Sequence, residues 1–422
     1  MTLFNKRNLS LVALGAFIWS IYFAIQGQYL NDYIAEVTKF TPLIISLLVS
    51  LVALTGAATS IFAGSFSDNY KSDFGRRKIF ILTGGLTSAL FFFFLPLSQS
   101  LVLIIGLNVV MGIFNTAAFV CNNSLIPDIS SKDKLGKANA IASVGTSIGT
   151  IVGFAIMLLS SSTVFFVAGS ICVVGFLVVG LFFQEPKPML EQKNWLTEIK
   201  ETFNFKKMRE EKEFFKFLIS HFLLHTGINV YMPFLLIFLT QENNPSSGEL
   251  IGAGLSLENG QVLVVFAVMT ITSLILSLPI GYLVDKLNKR YFLIISRLLF
   301  AISTGLIALV PVIRSIHPLA SCILFIIPFS LANTSDIISR GAVMHLLVPD
   351  KKRGQLLGAI FLAKIIAQIP GVLIGGLLAH FFQHGYQYGF IFSTLFLLLS
   401  IPFLFTNKII LSKFKNKEVQ TS

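Results

Sequence analysis

The sequence predicts an all-α integral membrane protein with twelve transmembrane helices in two pseudo-symmetric six-helix bundles. Three observations lead to this prediction: an apolar composition, twelve long apolar runs, and short motifs that recur once in each half. Of the 422 residues, 54% are hydrophobic and only 12% are charged. A soluble protein of this length would carry about twice that share of charged residues. Most of the surface of this chain must therefore face lipid.

Twelve runs are long and apolar enough to cross the hydrocarbon core of a bilayer, which takes about 20 helical residues. In the first half, the predicted spans are 9–30, 42–67, 79–98, 100–126, 138–160 and 163–183. In the second half, they are 214–240, 260–284, 291–313, 317–348, 355–380 and 386–407. The basic pair Lys6-Arg7 resembles the start of a signal peptide. No clear small-residue cleavage site follows it, so the first run is expected to remain as a helix.

Two short motifs recur at nearly constant offsets and indicate an internal duplication. Gly64-x-x-x-Asp68 and Gly281-x-x-x-Asp285 lie 217 residues apart, and each ends an apolar run and opens a basic turn. Pro127-Asp128 recurs 222 residues later as Pro349-Asp350. Chance does not readily repeat such residues at one offset within unrelated helices. A duplicated bundle of membrane helices is typical of solute carriers.

Lys and Arg residues predict the orientation of the spans. They concentrate in five loops, at 68–78, 127–137, 184–213, 285–290 and 349–354. The loops on the opposite side contain only Lys39 and Arg314. Cytoplasmic loops of membrane proteins carry an excess of basic residues, so both termini are expected in the cytoplasm. The predicted location is the cell membrane, and the chain is expected to function as a monomer.

The predicted organisation has four parts: an N-terminal bundle at 1–183, a cytoplasmic linker at 184–213, a C-terminal bundle at 214–407 and a cytoplasmic tail at 408–422. Within the linker, Trp195, Ile199 and Phe203 recur at i, i+4 and i+8 among lysines. This pattern is typical of an amphipathic helix lying on the inner leaflet. A solvated linker is the alternative.

Composition and motifs disfavour several classes of function. The net charge is +12, but the basic residues lie between apolar runs and form no patch with aromatic stacking residues, so nucleic-acid binding is not indicated. Cys121, Cys172 and Cys322 lie in apolar segments at no metal-ligand spacing and are predicted to be buried thiols. No Gly-rich phosphate loop, catalytic triad or metal cluster is visible. The sequence therefore indicates neither an enzyme nor a cofactor, and an ion or solute gradient must supply any energy.

The first-half motif continues into Phe74-Gly-Arg-Arg-Lys78, and these residue types suit a latch between helices. Arg76 and Arg77 can reach carboxylates or the C-terminal carbonyls of neighbouring helices, and the leading glycine is expected to permit close helix approach. Topology-setting charge is the alternative for the arginines. The residues assigned to gating are Gly64, Asp68, Gly75, Arg76, Arg77, Asp128, Gly281, Asp285, Arg290 and Asp350.

Glycines spaced by four residues mark the fifth and eleventh spans. They are Gly145, Gly149 and Gly153 in the first half and Gly371 and Gly375 in the second. Small residues at this spacing let membrane helices approach closely. We expect these spans to slide or tilt against helices of the opposite half.

The motif at Gly64–Asp68 and Phe74–Lys78 resembles the loop 2–3 signature of the major facilitator superfamily, and Gly281–Arg290 resembles its second-half copy. The distance from Asp68 to Gly75 is longer than in the commonest form of that signature. It is similar to the sucrose–proton symporters and the related glycoside–pentoside–hexuronide carriers. The resemblance to the superfamily covers essentially the whole chain, whereas the resemblance to this branch rests on two loops.

The resemblance implies the superfamily fold and alternating access to a central site, often with proton or sodium coupling. Sodium-coupled melibiose-type carriers place acidic residues in the second span, where this chain has Ser46, Ser50, Thr55 and Thr59. A proton is therefore favoured over sodium. The inner end of the fourth span lacks the arginine of sucrose symporters, so sucrose recognition does not carry over.

Ionisable residues deep in a membrane span are candidate functional residues, because their burial is costly unless they are paired or solvated. Lys364 lies near the middle of the eleventh span, and Gln368 lies one turn further on the same face. A position closer to the membrane edge would let Lys364 snorkel. Asp336 and Arg340 are spaced i, i+4 and can pair on one helix face. A structural pair and a functional pair both fit this spacing.

Polar stripes indicate faces that line a cavity, although helix-to-helix hydrogen bonds are the alternative. His221, His225 and Asn229 form one stripe in the seventh span, and Asn108 and Asn115 share a face of the fourth. Such groups beside aromatic rings suit a polyhydroxylated ligand, and Lys364 with two histidines would equally suit an anion. The solute-binding candidates are Trp19, Tyr22, Gln26, Tyr29, Asn108, Asn115, His221, His225, Asn229, Asn333, Lys364 and Gln368.

These observations lead to the hypothesis of a secondary active transporter that moves a sugar or glycoside with protons. Asp336, paired with Arg340 or Lys364, is the candidate protonation switch, with His221 or His225 as the fallback. One alternative is a proton-driven exporter of amphipathic compounds. Another is a membrane sensor without transport activity.

Overall fold

The computed structural model describes residues 5–38, 41–70, 72, 74–98, 100–129, 135–185, 211–240, 254–313, 317–347, 353–382 and 384–405. Every regular element within these ranges is helical. The amphipathic helix predicted in the linker, the tail 408–422 and Asp350 lie outside the described residues.

Twelve long helices occupy the described ranges, and each falls on one predicted span. We label them α1 to α12. Those of the first half are Lys6–Ala24, Pro42–Asn69, Lys78–Phe94, Leu101–Asn123, Leu135–Ile156 and Ser161–Phe182. Those of the second half are Lys212–Tyr231, Asn259–Lys286, Lys289–Ile307, Pro318–Leu347, Arg353–Phe381 and Gly385–Ser400.

Several helices continue past a break in their regular winding. Helix α1 passes into a π-helical turn at Ile25–Tyr29 and then into an α-helical segment at Leu30–Thr38. Helix α7 passes through a 3₁₀ turn at Met232–Phe234 into Leu235–Thr240. Shorter continuations follow α3, α4, α9 and α12, at Leu95–Leu97, Leu125–Ile129, Val310–Ile313 and Pro402–Phe405. The first helix of each half is therefore interrupted.

Eleven helices of the described ranges are long and apolar enough to cross a membrane. Within the residues searched, helix α5 contributes a shorter apolar stretch, Ile141–Ile156. The first span extends to Ala35, beyond its predicted end. The chain is a multi-pass membrane protein.

Large apolar side chains cover much of the outside of the helices. Val102 and Leu278 are each 80% exposed. Exposure of such side chains to water is unfavourable by about 25 cal/mol per Å². Contact with acyl chains removes that cost, so the exposed apolar surface agrees with a lipid environment.

The chain divides into two compact units, Met1–Ile199 and Lys200–Ser422, and the same helix pairs pack in each. In the first unit, α1 packs against α5 and α6, α3 packs against α4 and α6, and α2 packs against α4. In the second unit, α7 packs against α11 and α12, α9 packs against α10 and α12, and α8 packs against α10. Each pair recurs six helices later, as an internal duplication requires.

The glycine rows of α5 and α11 lie at the closest of these contacts. A Cβ atom at Gly149 would overlap the carbonyl oxygen of Phe17 in α1, and a Cβ atom at Gly375 would overlap that of Val230 in α7. Only glycine allows the backbones to approach so closely. The predicted close contact is confirmed. The glycine rows contact helices of their own unit, so they do not supply a contact with the opposite half. Sliding of α5 and α11 against the opposite half stays a prediction.

The leading glycines of the duplicated motif behave differently. A Cβ atom at Gly64 would lie 3.8 Å from a methyl group of Val120, which is an ordinary contact. At Gly281 it would meet no atom of the described residues within 4 Å. The expectation that these two glycines permit close helix approach is therefore wrong for this conformation.

Candidate functional site

The second unit contains a buried ionic network on α9 and α10. Asp336 and Arg297 are each 1% exposed. Arg297 donates through Nε to Oδ1 of Asp336, and Nε of Arg340 lies 3.4 Å from Oδ2. One carboxylate is thus shared by two guanidinium groups. The pair of Asp336 and Arg340 has the geometry that the i, i+4 spacing predicts.

Arg297 is not among the residues predicted from the sequence. It is a charged residue inside the apolar span 291–313, and that is the signal that could have found it. Its Nη1 donates to Oγ of Ser400 at 2.7 Å and lies 3.5 Å from Oγ of Ser220. The network therefore joins α7, α9, α10 and α12. The two serines carry no sequence signal, since isolated serines are common in membrane helices.

His225 makes a second link between the network and α7. Nη1 of Arg340 lies 2.8 Å from Nε2 of His225. A guanidinium group only donates hydrogen bonds, so Nε2 accepts and the neutral imidazole carries its proton on Nδ1. A proton added at Nε2 would replace this hydrogen bond with the contact of two cations. Proton binding at His225 would therefore break the link to Arg340.

His221 and Lys364 lie beside this network. The rings of His221 and His225 meet edge to face, with centroids 4.5 Å apart. His221 is 7% exposed, and neither of its ring nitrogens has a hydrogen-bond partner among the described residues. Lys364 is close enough to interact electrostatically with both histidines and with Arg340. The ionisable candidates of the second half thus lie together.

The remaining candidates of the second unit lie at the edges of the cluster. Nδ2 of Asn229 donates to the backbone carbonyl of His225 at 2.7 Å, so this amide group is turned back onto its own helix. Asn333 is half-buried, one turn before Asp336 on α10. Gln368 is half-buried, one turn beyond Lys364 on α11. A role for these three in binding stays a prediction.

In the first unit, three amide side chains meet at the π-helical turn of α1. Nε2 of Gln26 lies 3.4 Å from Oδ1 of Asn108, and Nδ2 of Asn115 lies 3.3 Å from Oε1 of Gln26. Asn108 and Asn115 are buried, and Oδ1 of Asn115 has no hydrogen-bond partner among the described residues. Single π-helical turns inside α-helices are frequent at functional sites. The cluster of these three residues, the amide triad, offers a buried acceptor to a ligand.

The aromatic candidates of α1 occupy the core of the first unit. Trp19 is 3% exposed and packs against the rings of Phe119 and Phe176. Tyr22 is fully buried. Tyr29 is buried too, with its ring edge against Phe165. These contacts pack the three rings in the core of the unit, and their part in binding a solute stays a prediction.

The basic turn before α3 encloses a carboxylate from the end of α6. Glu185 accepts hydrogen bonds from the backbone N–H groups of Arg77 and Lys78 at 3.1 and 3.4 Å, and Nε of Arg76 lies 3.4 Å from Oε1. A carboxylate at a helix N-terminus satisfies free N–H groups and complements the helix dipole. Gly75 has φ +122°, and a Cβ atom there would lie 2.6 Å from Oε2 of Glu185. The turn therefore requires glycine.

Basic and amide side chains also satisfy the C-terminal end of α6. Arg7 donates to the carbonyl oxygen of Phe182 at 2.8 Å, and Nζ of Lys78 lies 3.3 Å from that of Leu181. Asn8 exchanges two hydrogen bonds with the backbone of Gln184. Together with Glu185, these contacts join the N-terminal ends of α1 and α3 to the end of α6.

Replacement of Glu185 with Gln should lower the stability of the first unit by about 1–3 kcal/mol, because the backbone N–H groups lose a buried charged acceptor. The measurement is the melting temperature of the purified protein in detergent. Glu213→Gln is the control, since it alters a partly exposed i, i+3 pair with Lys216 at 3.3 Å and should cost less than about 0.5 kcal/mol. Equal melting temperatures for the two variants would contradict the proposal that Glu185 caps the N-terminus of α3.

The second-half copy of the motif is capped without a carboxylate. Oδ1 of Asn288 accepts from the backbone N–H of Arg290 at 3.1 Å, and Arg290 is buried. The side chains of Asp68, Asp128 and Asp285 lie outside the described part of the chain. Their role in a latch stays a prediction, whereas the expectation that Arg76 reaches a neighbouring carboxylate is confirmed by Glu185, just beyond the end of α6.

The three cysteines are free and buried, as predicted. Within the described residues, His, Cys, Asp and Glu side chains form no group of three that could hold a metal ion.

One family model matches nearly the whole chain. The profile of the Major Facilitator Superfamily matches residues 10–242 and 217–420. No curated protein matches the chain in sequence. Among solved structures, a point mutant of the nucleoside transporter NupG is similar with a TM-score of 0.74 at 14% identity, over 96% of this chain and 100% of that one.

Two further structures are similar over nearly their whole length. A bacterial homologue of the human lysosomal transporter Spinster has a TM-score of 0.71 at 16% identity, over 97% of this chain and 98% of that one. A D-xylose–proton symporter has a TM-score of 0.68 at 14% identity, over 94% and 96%. At these identities the likeness concerns the fold.

Proposed function

The chain belongs to the Major Facilitator Superfamily and is a membrane transporter, and on this premise we propose that it moves a sugar or glycoside together with protons by alternating access. The observation that carries the proposal is the buried Asp336, shared by Arg297 and Arg340 inside membrane-spanning helices. An ionisable residue is retained at such depth at considerable cost, and proton relays in transporters are a common reason for it.

Protonation of Asp336 would remove the negative charge that holds the two guanidinium groups. The three side chains would then separate, and the relative stability of the transporter's conformations would change. His225 adds a second site for the same effect, since its Nε2 accepts from Arg340 only while the imidazole is neutral. Proton binding can thus be converted into a conformational change by this network.

The amide triad supports a polyhydroxylated solute. Amide groups donate and accept hydrogen bonds without a net charge, which suits hydroxyl groups. Oδ1 of Asn115 is buried and available to a donor from the solute. Two structurally similar proteins are a nucleoside transporter and a D-xylose–proton symporter, and both solutes carry a sugar ring. The charge distribution of the loops supports a cell-membrane location with both termini in the cytoplasm.

Proteoliposomes with a pH gradient test this proposal. We expect accumulation of a labelled sugar when the outside is acidic, and loss of accumulation when an ionophore collapses the gradient. Exchange of labelled against unlabelled sugar should persist without the gradient. The proposal of proton coupling is wrong if accumulation ignores the pH gradient or follows a sodium gradient.

Asn115→Ala should weaken the apparent affinity for that sugar about tenfold, because loss of the buried acceptor removes about 1–1.5 kcal/mol of hydrogen bonding. Gln26 would also lose one of the two amide contacts that hold its side chain. The measurement is the concentration for half-maximal exchange. Ser170→Ala is the control, since Ser170 is exposed and its hydroxyl, within the described part of the chain, bonds only the carbonyl of Phe166 one turn earlier. Equal affinities for Asn115→Ala and the control would exclude the triad from the site.

A further inference from the structure

The ionic network of the second unit contains more positive than negative charge. Three cationic side chains, Arg297, Arg340 and Lys364, lie in the cluster, whereas Asp336 is its one described carboxylate. Both oxygens of Asp336 are engaged, one by each arginine. Lys364 has no carboxylate partner among the described residues. An unbalanced cation at this depth is costly unless a ligand supplies the missing negative charge.

The helix contacts show which way Lys364 faces. A Cβ atom at Gly371 would meet Thr226, and one at Gly375 would meet Val230, so α7 and α11 run parallel and in register. Lys364 lies seven residues before Gly371 and thus on the same face of α11. By this register it is level with His221 on α7. Lys364 therefore lies on the face of α11 that packs against α7, and not on a face that contacts lipid alone.

Lys364 lies well inside α11. It lies about 16 Å along α11 from Arg353, at 1.5 Å per residue. Residue 364 is nevertheless exposed, so a solute can reach this position.

His221 gives an independent indication of a ligand at this place. Its side chain is more than nine-tenths buried, yet both ring nitrogens lack a partner among the described residues. Buried polar groups in native proteins are nearly always hydrogen-bonded, and an unsatisfied one calls for an explanation. A ligand atom within reach of Lys364 would supply the partner that the imidazole lacks.

We propose that Lys364 and His221, with Arg340 behind them, form a binding subsite for an anionic group of the transported solute, a carboxylate or a phosphate. The subsite deepens the proposed function and rests on it, since it assigns a charged group to the polyhydroxylated solute. The ammonium group supplies the charge, and the imidazole of His221 supplies a directed hydrogen bond.

Matched solutes test the subsite. D-Glucose, D-glucuronate and D-glucose 6-phosphate share one sugar ring, and uridine and uridine 5′-phosphate form a second matched set. The full-length protein is measured in nanodiscs of phosphatidylcholine, without anionic lipid, by thermal shift. We expect at least a tenfold tighter apparent affinity for an anionic member than for its neutral partner, and the preferred member distinguishes a carboxylate from a phosphate. The proposed subsite is wrong if neutral and anionic solutes stabilise the protein equally, or if none of the solutes stabilises it.

Two variants distinguish a ligand contact from a structural role. Lys364→Gln should abolish the difference between anionic and neutral solutes, and Lys364→Arg should keep most of it. Without solute, Lys364→Gln should melt at the wild-type temperature or higher, because it removes an unpaired cation next to Arg340. A lower melting temperature without solute, or an unchanged preference for the anion, contradicts the proposal.

Transport assays separate the proposed anion subsite from the proposed function as a sugar transporter. Exchange of neutral sugars with no preference for anions would reject the subsite and keep the sugar transporter. Exchange of none of these solutes would reject both.

Discussion

Asp336→Asn is expected to abolish proton-driven accumulation of the solute and to lower the stability of the second unit by about 3–5 kcal/mol. The amide keeps the shape of the side chain but removes the charge that Arg297 and Arg340 share. Two buried guanidinium groups then face each other without a counter-ion, and no group at this position can bind and release a proton. The measurements are accumulation in proteoliposomes under a pH gradient and the melting temperature in detergent.

Two controls separate coupling from folding in this experiment. Solute counterflow needs a folded carrier but no proton gradient, so it should persist in Asp336→Asn wherever the protein is stable enough to reconstitute. Asp336→Glu keeps the charge and should retain part of the accumulation. Unchanged accumulation by Asp336→Asn would remove this residue from the coupling mechanism, and His225 would then be the next group to test.

Gly375→Val should separate α11 from α7 and destabilise the second unit by about 3 kcal/mol or more. Even one Cβ atom at this position overlaps the carbonyl oxygen of Val230. Because that oxygen belongs to the backbone, no side-chain rotation can relieve the overlap. Gly375→Ala should show the same effect at a smaller size. The measurement is the yield of monodisperse protein and its melting temperature.

Gly106→Val is the matched control for the glycine experiment. Gly106 lies within α4, and a Cβ atom there meets no atom within 4 Å. Its replacement should leave the melting temperature nearly unchanged, within the effect of helix propensity of about 0.5 kcal/mol. If Gly106→Val destabilised the protein as much as Gly375→Val, loss of glycine as such would explain the result, and the close contact would not.

The positions of the helices were predictable because each depends on a local property of the chain. A run of about 20 apolar residues must be helical in lipid, and this holds for Pro42–Asn69 as for Asn259–Lys286. The pair of Asp336 and Arg340 was predictable for the same reason, since four residues along a helix bring two side chains together.

Contacts between distant segments were not predictable from local pattern. Glu185 lies 108 residues from the N–H group of Arg77 that it caps. Arg297 reaches Asp336 from a neighbouring helix. The glycine rows indicated close contact but not its partner, because any helix can accept a small-residue face. Which helices become neighbours depends on the whole arrangement of the unit.

The interruptions in α1 and α7 affect how these two helices can deform. Each is held along its earlier turns by the glycines of α5 or α11, and each departs from regular winding shortly afterwards, α1 by a wider turn and α7 by a tighter one. Helices bend where the regular ladder of i to i+4 hydrogen bonds is broken. Flexing of both helices should therefore concentrate at Ile25–Tyr29 and Met232–Phe234.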